Sequence, residues 1–178
     1  MGAKPLDNPT PMTILNKKDF TMQPIKPIAS FTVDHDLITE GIYISRIDGD
    51  VTTYDLRTRR PNMGDYMDNC TMHSVEHMFA TYVRSSSIGE DVIYFGQMGC
   101  QTGFYLMVRS QDHERTLAAV YETLDRIIAH DGPMFGAERR ACGNYKNLDL
   151  ACAKEEARRM RDALRRQTTP FIYGGQMV

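Results

Sequence analysis

The sequence predicts an α+β fold, a mostly antiparallel sheet packed against helices, with the His73-Ser74-Val75-Glu76-His77 stretch on a helix. Three observations carry this. Short β-prone runs flank tight turns, and longer stretches place apolar residues three and four apart. The order of strands, helix, strands and two helices also lacks the β-α-β alternation of a parallel sheet.

The elements follow in chain order. Residues 1–28 contain five of the eight prolines (Pro5, Pro9, Pro11, Pro24 and Pro27). Each proline fixes its own φ and restricts the residue before it, so an extended N-terminal arm is expected there. A single domain is expected over residues 29–178. Ile42–Ile47 and Val51–Leu56 read as strands joined through Asp48-Gly49-Asp50, a hairpin turn. A helix is expected over Asn69–Arg84, where Met72, Val75, Met78, Phe79 and Tyr82 form one apolar stripe. Val92–Phe95 and Phe104–Val108 read as two further strands, and residues 96–103 between them look too glycine-rich for regular structure. A second helix fits Glu114–Ala129, stopped by Asp131-Gly132-Pro133. A third fits Leu148–Arg166, with Glu155 and Glu156 early and Arg158, Arg159, Arg161, Arg165 and Arg166 late, the sense the helix dipole favours. Its interleaved charges read as a solvated face.

Composition narrows the function classes. A net charge of −2 gives no global reason to bind nucleic acid or an anionic membrane. No apolar stretch is long enough to span a bilayer, and none after Met1 resembles an export signal. The four cysteines, Cys70, Cys100, Cys142 and Cys152, form no C-x-x-C pair, so reduced thiols in the cytoplasm are expected.

The sharpest motif is H-x-x-E-H at residues 73–77. Positions four apart lie on one helix face, so both imidazoles can reach one cation, with Glu76 close by but not a ligand. This is the inverted zincin order. Two histidines need a third donor, and the choices are the cysteines, a carboxylate, His35, His113 or His130. Cys142 is favoured because Gly143 beside it permits close backbone approach. Cys70, three residues before His73, is a weaker choice, and Cys152 reads as a small buried hydrophobe. Cys100 sits among Gly96, Gly99 and Gly103, a setting that exposes a thiol over a cleft with backbone N–H groups around it. A thiol and a carboxylate facing one metal suit proton transfer beside a polarised carbonyl.

Together these residues resemble the S-ribosylhomocysteine lyase (LuxS) family. Its metal helix H-T-x-E-H is matched by His73-Ser74-Val75-Glu76-His77. Its M-G-C-x-T-G-F/Y-Y turn is matched by Met98-Gly99-Cys100-Gln101-Thr102-Gly103-Phe104-Tyr105, and its C-G motif by Cys142-Gly143. S-F-x-x-D-H is matched by Ser30-Phe31-Thr32-Val33-Asp34-His35, and F-D-[IL]-R by Tyr54-Asp55-Leu56-Arg57. The resemblance runs in order from Ser30 to Arg166. The chain departs from the family at Tyr94-Phe95-Gly96-Gln97, where D-I-S-P is usual, and at Arg57-Thr58-Arg59-Arg60, where R-F-C-x is usual.

The resemblance implies a cytoplasmic homodimer with active sites at the subunit interface, and makes 29–178 a catalytic domain. The small-molecule substrate would be S-ribosylhomocysteine, cleaved to homocysteine and 4,5-dihydroxy-2,3-pentanedione, the autoinducer-2 precursor. One divalent metal per subunit, iron(II) with zinc or cobalt as substitutes, would be held by His73, His77 and Cys142. Cys100 and Glu76 would be the catalytic acid/base pair, and Ser30, His35 and Arg57 would bind substrate or assist proton transfer. The alternatives are an H-x-x-E-H metallopeptidase, which usually takes a distal glutamate as third ligand, and a non-catalytic domain with a closed structural metal site.

Overall fold

The computed structural model describes residues 33–173. The arm expected over residues 1–28 lies outside them. After a 3-10 turn at His35–Leu37, β1 (Gly41–Asp48) and β2 (Val51–Arg57) form an antiparallel hairpin. Helix α1 (Asn69–Val83) leads to a second hairpin of β3 (Val92–Gln97) and β4 (Gly103–Val108). Helices α2 (His113–Ala129) and α3 (Leu150–Arg166) follow. The two hairpins join through antiparallel β2–β4 pairing, giving the sheet order β1-β2-β4-β3. The α+β architecture and antiparallel sheet are as the sequence predicts, and residues 73–77 lie within α1.

The pleat separates two chemistries. Ile42, Tyr54, Leu56, Phe95, Phe104, Leu106 and Val108 join one buried cluster with the apolar stripes of all three helices. An aromatic ladder ties α1 into it, Phe79 stacking on Phe95 at 4.1 Å and Phe95 on Phe104 at 5.2 Å. The alternate residues of β1, β2 and β4, namely Tyr43, Asp55, Arg57 and Tyr105, point to the other face. There Tyr43 joins Ile38 and Tyr173 in a second buried cluster.

The glycine-rich segment is more regular than expected. Gly96 and Gln97 extend β3, and Gly103 opens β4, leaving residues 98–102 as the turn. Cross-strand pairing supplies backbone partners to these glycines. At Gly103 a Cβ would stand 2.5 Å from the Leu56 carbonyl oxygen, so glycine permits the β2–β4 approach. The third helix starts two residues later than expected because Asp149 caps it, accepting from the Ala151 and Cys152 N–H groups.

The face of α3 is not wholly solvated. Glu155 pairs outside with Arg158 at 3.2 Å, but Glu156 turns inward, 3% exposed, to meet Arg59 at 2.6 Å. Arg59 and Arg159 share Asp65, at 3.1 and 2.5 Å. The result pins the loop of residues 58–68 against α3.

That loop ends at Asp68, the N-cap of α1, whose carboxylate accepts from the Thr71 N–H at 2.7 Å. This bond holds the Asp68 carboxyl below the usual carboxylate range. A depressed folded pKa means the cap stabilises the fold above about pH 4 and is lost as pH falls through the folded value. Asp68→Ala is expected to lower the unfolding free energy by about 1 kcal/mol at pH 7, with Asp68→Asn retaining most of it. Urea denaturation at pH 7 and pH 3 checks this, and the Asp68→Ala penalty should shrink at the lower pH.

Candidate active site

Helix α1 places His73 and His77 one turn apart on one face. Their rings meet edge-on, with centroids 4.7 Å apart. Cys142 comes from the loop between α2 and α3, where its N–H donates to the Glu138 carbonyl at 3.1 Å. Its Sγ lies 3.3 Å from His73 Nε2 and accepts from the Asn144 N–H at 3.3 Å. One donor atom from each of His73, His77 and Cys142 lies within 4.8 Å of the other two. Metal–ligand bonds of about 2.0–2.3 Å in a tetrahedral arrangement need donors roughly 3.5 Å apart, so the three residues can hold an ion.

The backbone prepares these donors. His77 Nδ1–H donates to the Phe135 carbonyl at 2.9 Å, a tautomer that leaves Nε2 free to ligate. Gly136, next in chain, has φ +68°, and a Cβ there would lie 2.8 Å from His77 Nδ1. Glycine is what allows this carbonyl so close. Burial, then the neighbouring His77, hold His73 below the usual histidine range, against the pull of Glu76. Neutral imidazole, the ligating form, is thereby favoured. Glu76 is half-buried and has no hydrogen bond or ion pair among the described residues, so its carboxylate is available for proton transfer.

A second group forms around Cys100, which is exposed on the 98–102 turn. Gln101 has φ 64°, uncommon for a side chain with a Cβ, and its carbonyl accepts from the Met67 N–H at 3.0 Å. That bond ties the turn to the residue before the α1 cap. Cys100 Sγ lies 3.0 Å from Thr102 Oγ1 and 3.8 Å from Arg57 Nη1, which also donates to Thr102 Oγ1 at 2.5 Å. The positive partner expected from backbone N–H groups is instead a guanidinium. Burial opposes the Arg57 charge, but the Asp55 carboxylate outweighs it and raises the Arg57 pKa. Asp55 holds Arg57 through two bonds and accepts from Tyr173 Oη at 2.8 Å.

The other sequence candidates lie apart from these groups. His35 Nδ1 bonds the Val33 carbonyl at 3.0 Å, and no hydrogen bond among the described residues joins it to Cys100 or α1. Its turn is linked instead to the 58–68 loop by Asn62 Nδ2–H donating to Asp36 Oδ1 at 3.3 Å. Ser30 lies outside the described residues. His113 is bonded to Tyr54 Oη at 2.8 Å and His130 to Tyr82 Oη at 2.6 Å, so neither serves as a third donor. Cys70 is absent from the donor cluster. Cys152 is half-buried rather than buried, and burial followed by Asp149 pushes its thiol up.

Sequence reasoning missed Asp55, Thr102 and Tyr173 as parts of the site. Asp55 carried a usable signal, since residues two apart on a strand share a face and Arg57 follows at that spacing. Tyr173 carried none, being 118 residues from the carboxylate it meets.

A sequence model of the S-Ribosylhomocysteinase (LuxS) family matches residues 28–170. The chain is 38% identical over 139 residues to an S-ribosylhomocysteine lyase of Borreliella afzelii (strain PKo), covering 75% of this chain and 88% of the relative. The S-ribosylhomocysteine lyase of Desulfotalea psychrophila is 40% identical over 139 residues, 75% and 87% of the two chains. That of Phocaeicola vulgatus is 36% identical over 156 residues, 84% and 97%. With three donors converging from the motifs of that family and a match over most of its length, this chain belongs to the S-ribosylhomocysteinase (LuxS) family.

Proposed function

We propose that the chain is an S-ribosylhomocysteine lyase, a carbon–sulfur lyase releasing homocysteine and 4,5-dihydroxy-2,3-pentanedione. The observation that carries this reading is the meeting of His73, His77 and Cys142 within 4.8 Å in a chain of this family. These three residues would hold one divalent metal, and their mixed nitrogen and sulfur donors suit iron(II) as well as zinc or cobalt. When bound, the metal supplies Lewis acidity that polarises a sugar carbonyl and acidifies the neighbouring C–H. We take iron(II) as the working metal on the family resemblance.

The remaining chemistry falls to side chains. The carbonyl of the opened sugar must move from C1 to C2 and then to C3. Cys100 Sγ takes the C2 proton and returns it at C1 as the O2 hydroxyl proton passes to O1. It then takes the C3 proton and returns it at C2 as the O3 hydroxyl proton passes to O2. The Arg57 guanidinium places a positive charge 3.8 Å from this sulfur. Glu76 takes the C4 proton, and the electron pair left at C4 expels the homocysteine sulfur from C5. The resulting enol tautomerises to the dione. Arg57, His35 and Ser30 are assigned to the substrate, and Arg57 also to the Cys100 charge. Neither alternative gains support: the third donor is a cysteine rather than a distal glutamate, and an exposed thiol accompanies the site.

The same reading makes the protein a cytoplasmic homodimer with active sites at the interface, and its product a signal precursor for quorum sensing. Residues 29–178 would form the catalytic domain behind an arm of 1–28. Four free cysteines suit a reducing compartment, and no helix among the described residues is long and apolar enough to cross a membrane. Cys100 lies outside the donor cluster of its own chain, as suits a site completed between subunits.

Metal-replete protein is expected to release thiol from S-ribosylhomocysteine, followed with a thiol reagent. Cys100→Ala and Glu76→Gln should each lose at least about 100-fold in turnover while keeping their metal. Absence of thiol release from the replete wild type would overturn the lyase assignment. By elemental analysis, His73→Ala should fall from one metal per chain to well below half, with its helical circular dichroism retained. Light scattering should give twice the mass of the chain, and a monomer at assay concentration would contradict shared sites.

A further inference from the structure

The segment after α3 returns to the sheet and at Tyr173 reaches the face opposite the helices. Gln167 Oε1 accepts from the Ile42 N–H at 2.8 Å, and its Nε2–H donates to the Ile42 carbonyl at 3.1 Å. The Phe171 N–H donates to the same carbonyl at 2.8 Å, and the Ile44 N–H donates to the Phe171 carbonyl at 3.0 Å. The segment thus lies parallel along the free edge of β1. Phe171 has φ 75°, a left-handed backbone that is costly for a phenylalanine. In a regular strand, residues 171 and 173 would share a face. Here the Phe171 ring packs edge-on to Tyr54 on the helix side, whereas Tyr173 lies on the opposite face, stacked on Tyr43 at 4.7 Å. The strained residue sends the two side chains to opposite sides of the sheet.

What Tyr173 meets there is Asp55, 1% exposed, lying opposite Tyr43 of β1 and Tyr105 of β4 in the sheet register. Asp55 Oδ2 accepts from both Tyr173 Oη, at 2.8 Å, and Arg57 Nη2, at 2.5 Å. Nη1 of the same guanidinium faces Thr102 and Cys100. Burial, then Asp55, raises the Tyr173 pKa far above the usual tyrosine value, so Tyr173 acts as a neutral O–H donor.

We propose that Tyr173 is a positioning residue for the Cys100 thiol, acting through Asp55 and Arg57. The proposal rests on the assignment of Cys100 to proton transfer. Donation from Tyr173 takes up part of the Asp55 charge, leaving more guanidinium charge for Cys100. Without that donor, Asp55 draws Arg57 to itself and the thiolate loses support. Tyr173 lies beyond residue 170, where the family match ends.

The titratable and charged groups that face Cys100, directly or through Arg57, are Arg57 and Asp55 of β2, Tyr105 of β4 and Tyr173. The 58–68 loop packed on the turn contributes Arg59 and Asp65, paired with each other, and Asp68, engaged as the α1 cap. None of the latter three reaches Sγ by a hydrogen bond.

The test is the pH dependence of Cys100 alkylation by iodoacetamide in the full, metal-replete chain, with labelling at Cys100 resolved from the other cysteines by peptide mass spectrometry. Tyr173→Phe should move the midpoint up by at least about half a pH unit, a threefold loss of thiolate near neutrality. Turnover should fall in proportion, with KM little changed. Tyr43→Phe, which removes a neighbouring hydroxyl bonded only to Thr39, should leave the midpoint in place. If Tyr173→Phe does not fold, 3-fluorotyrosine at position 173 keeps the ring and strengthens the donor, and the midpoint should move down. An unmoved midpoint in a folded Tyr173→Phe or fluorotyrosine protein overturns the proposal, even if turnover falls. Because alkylation is read without substrate, this outcome is separate from failure of the lyase reading, which appears as no thiol release by the wild type.

Discussion

The buried Asp55–Arg57 pair is the constraint around which this molecule is arranged. The two side chains are 1% and 3% exposed as whole residues, on the sheet face away from the helices. Taking two opposite charges out of water costs several kcal/mol per ion, recovered only when geometry is good and the remaining hydrogen-bonding capacity is filled. Every partner that fills it comes from a different part of the chain. The Cys100 turn contributes Thr102, and the C-terminal segment contributes Tyr173. A pair that would be a liability alone therefore fixes where the Cys100 turn and Tyr173 sit.

The three candidate metal donors, His73, His77 and Cys142, are organised by the opposite sheet face. The α1 stripe of Met72, Val75, Met78 and Phe79 is committed to the core, which turns His73, Glu76 and His77 toward the helix edge. The loop between α2 and α3 then supplies Cys142 and the Phe135 carbonyl, one as a donor and the other as the lock on a tautomer. The only regular element among the donors is a helix capped at Asp68, and the chain immediately before that cap is bonded to the Cys100 turn. The Cys100 thiol and the helix carrying His73 and His77 thus share one structural junction.

Departures from the family pattern become intelligible at this level. Arg59, where the family usually has a cysteine, is buried against Glu156 and shares Asp65 with Arg159. A charge cluster between α3 and the loop of residues 58–68 holds the chain that leads into the α1 cap. Glu156 looked like one more solvated acid because helical spacing tells which residues share a face, not what stands opposite that face. Tyr94-Phe95-Gly96-Gln97, in place of D-I-S-P, continues as strand β3, with Phe95 buried in the aromatic ladder and Tyr94 exposed.

Sequence alone determined whatever depends on near neighbours. Short β-prone runs located the four strands and periodicity the three helices, and the four-residue spacing of His73 and His77 put two imidazoles on one face. Turn signals at Asp48-Gly49-Asp50 and Asp131-Gly132-Pro133 set two of the boundaries, whereas cross-strand pairing drew Gly96, Gln97 and Gly103 into strands and the Asp149 cap moved the start of α3. Motif order indicated Cys142 as the third donor, although spacing by itself left several candidates open. Tertiary structure alone decided the partners: Phe135 for His77, Arg57 for Cys100, Glu156 for Arg59 and Tyr173 for Asp55. The reason is physical. Helix and strand periods are local properties of the backbone, whereas the partner of a buried charge is chosen by which distant segment folding brings within about 3 Å of it.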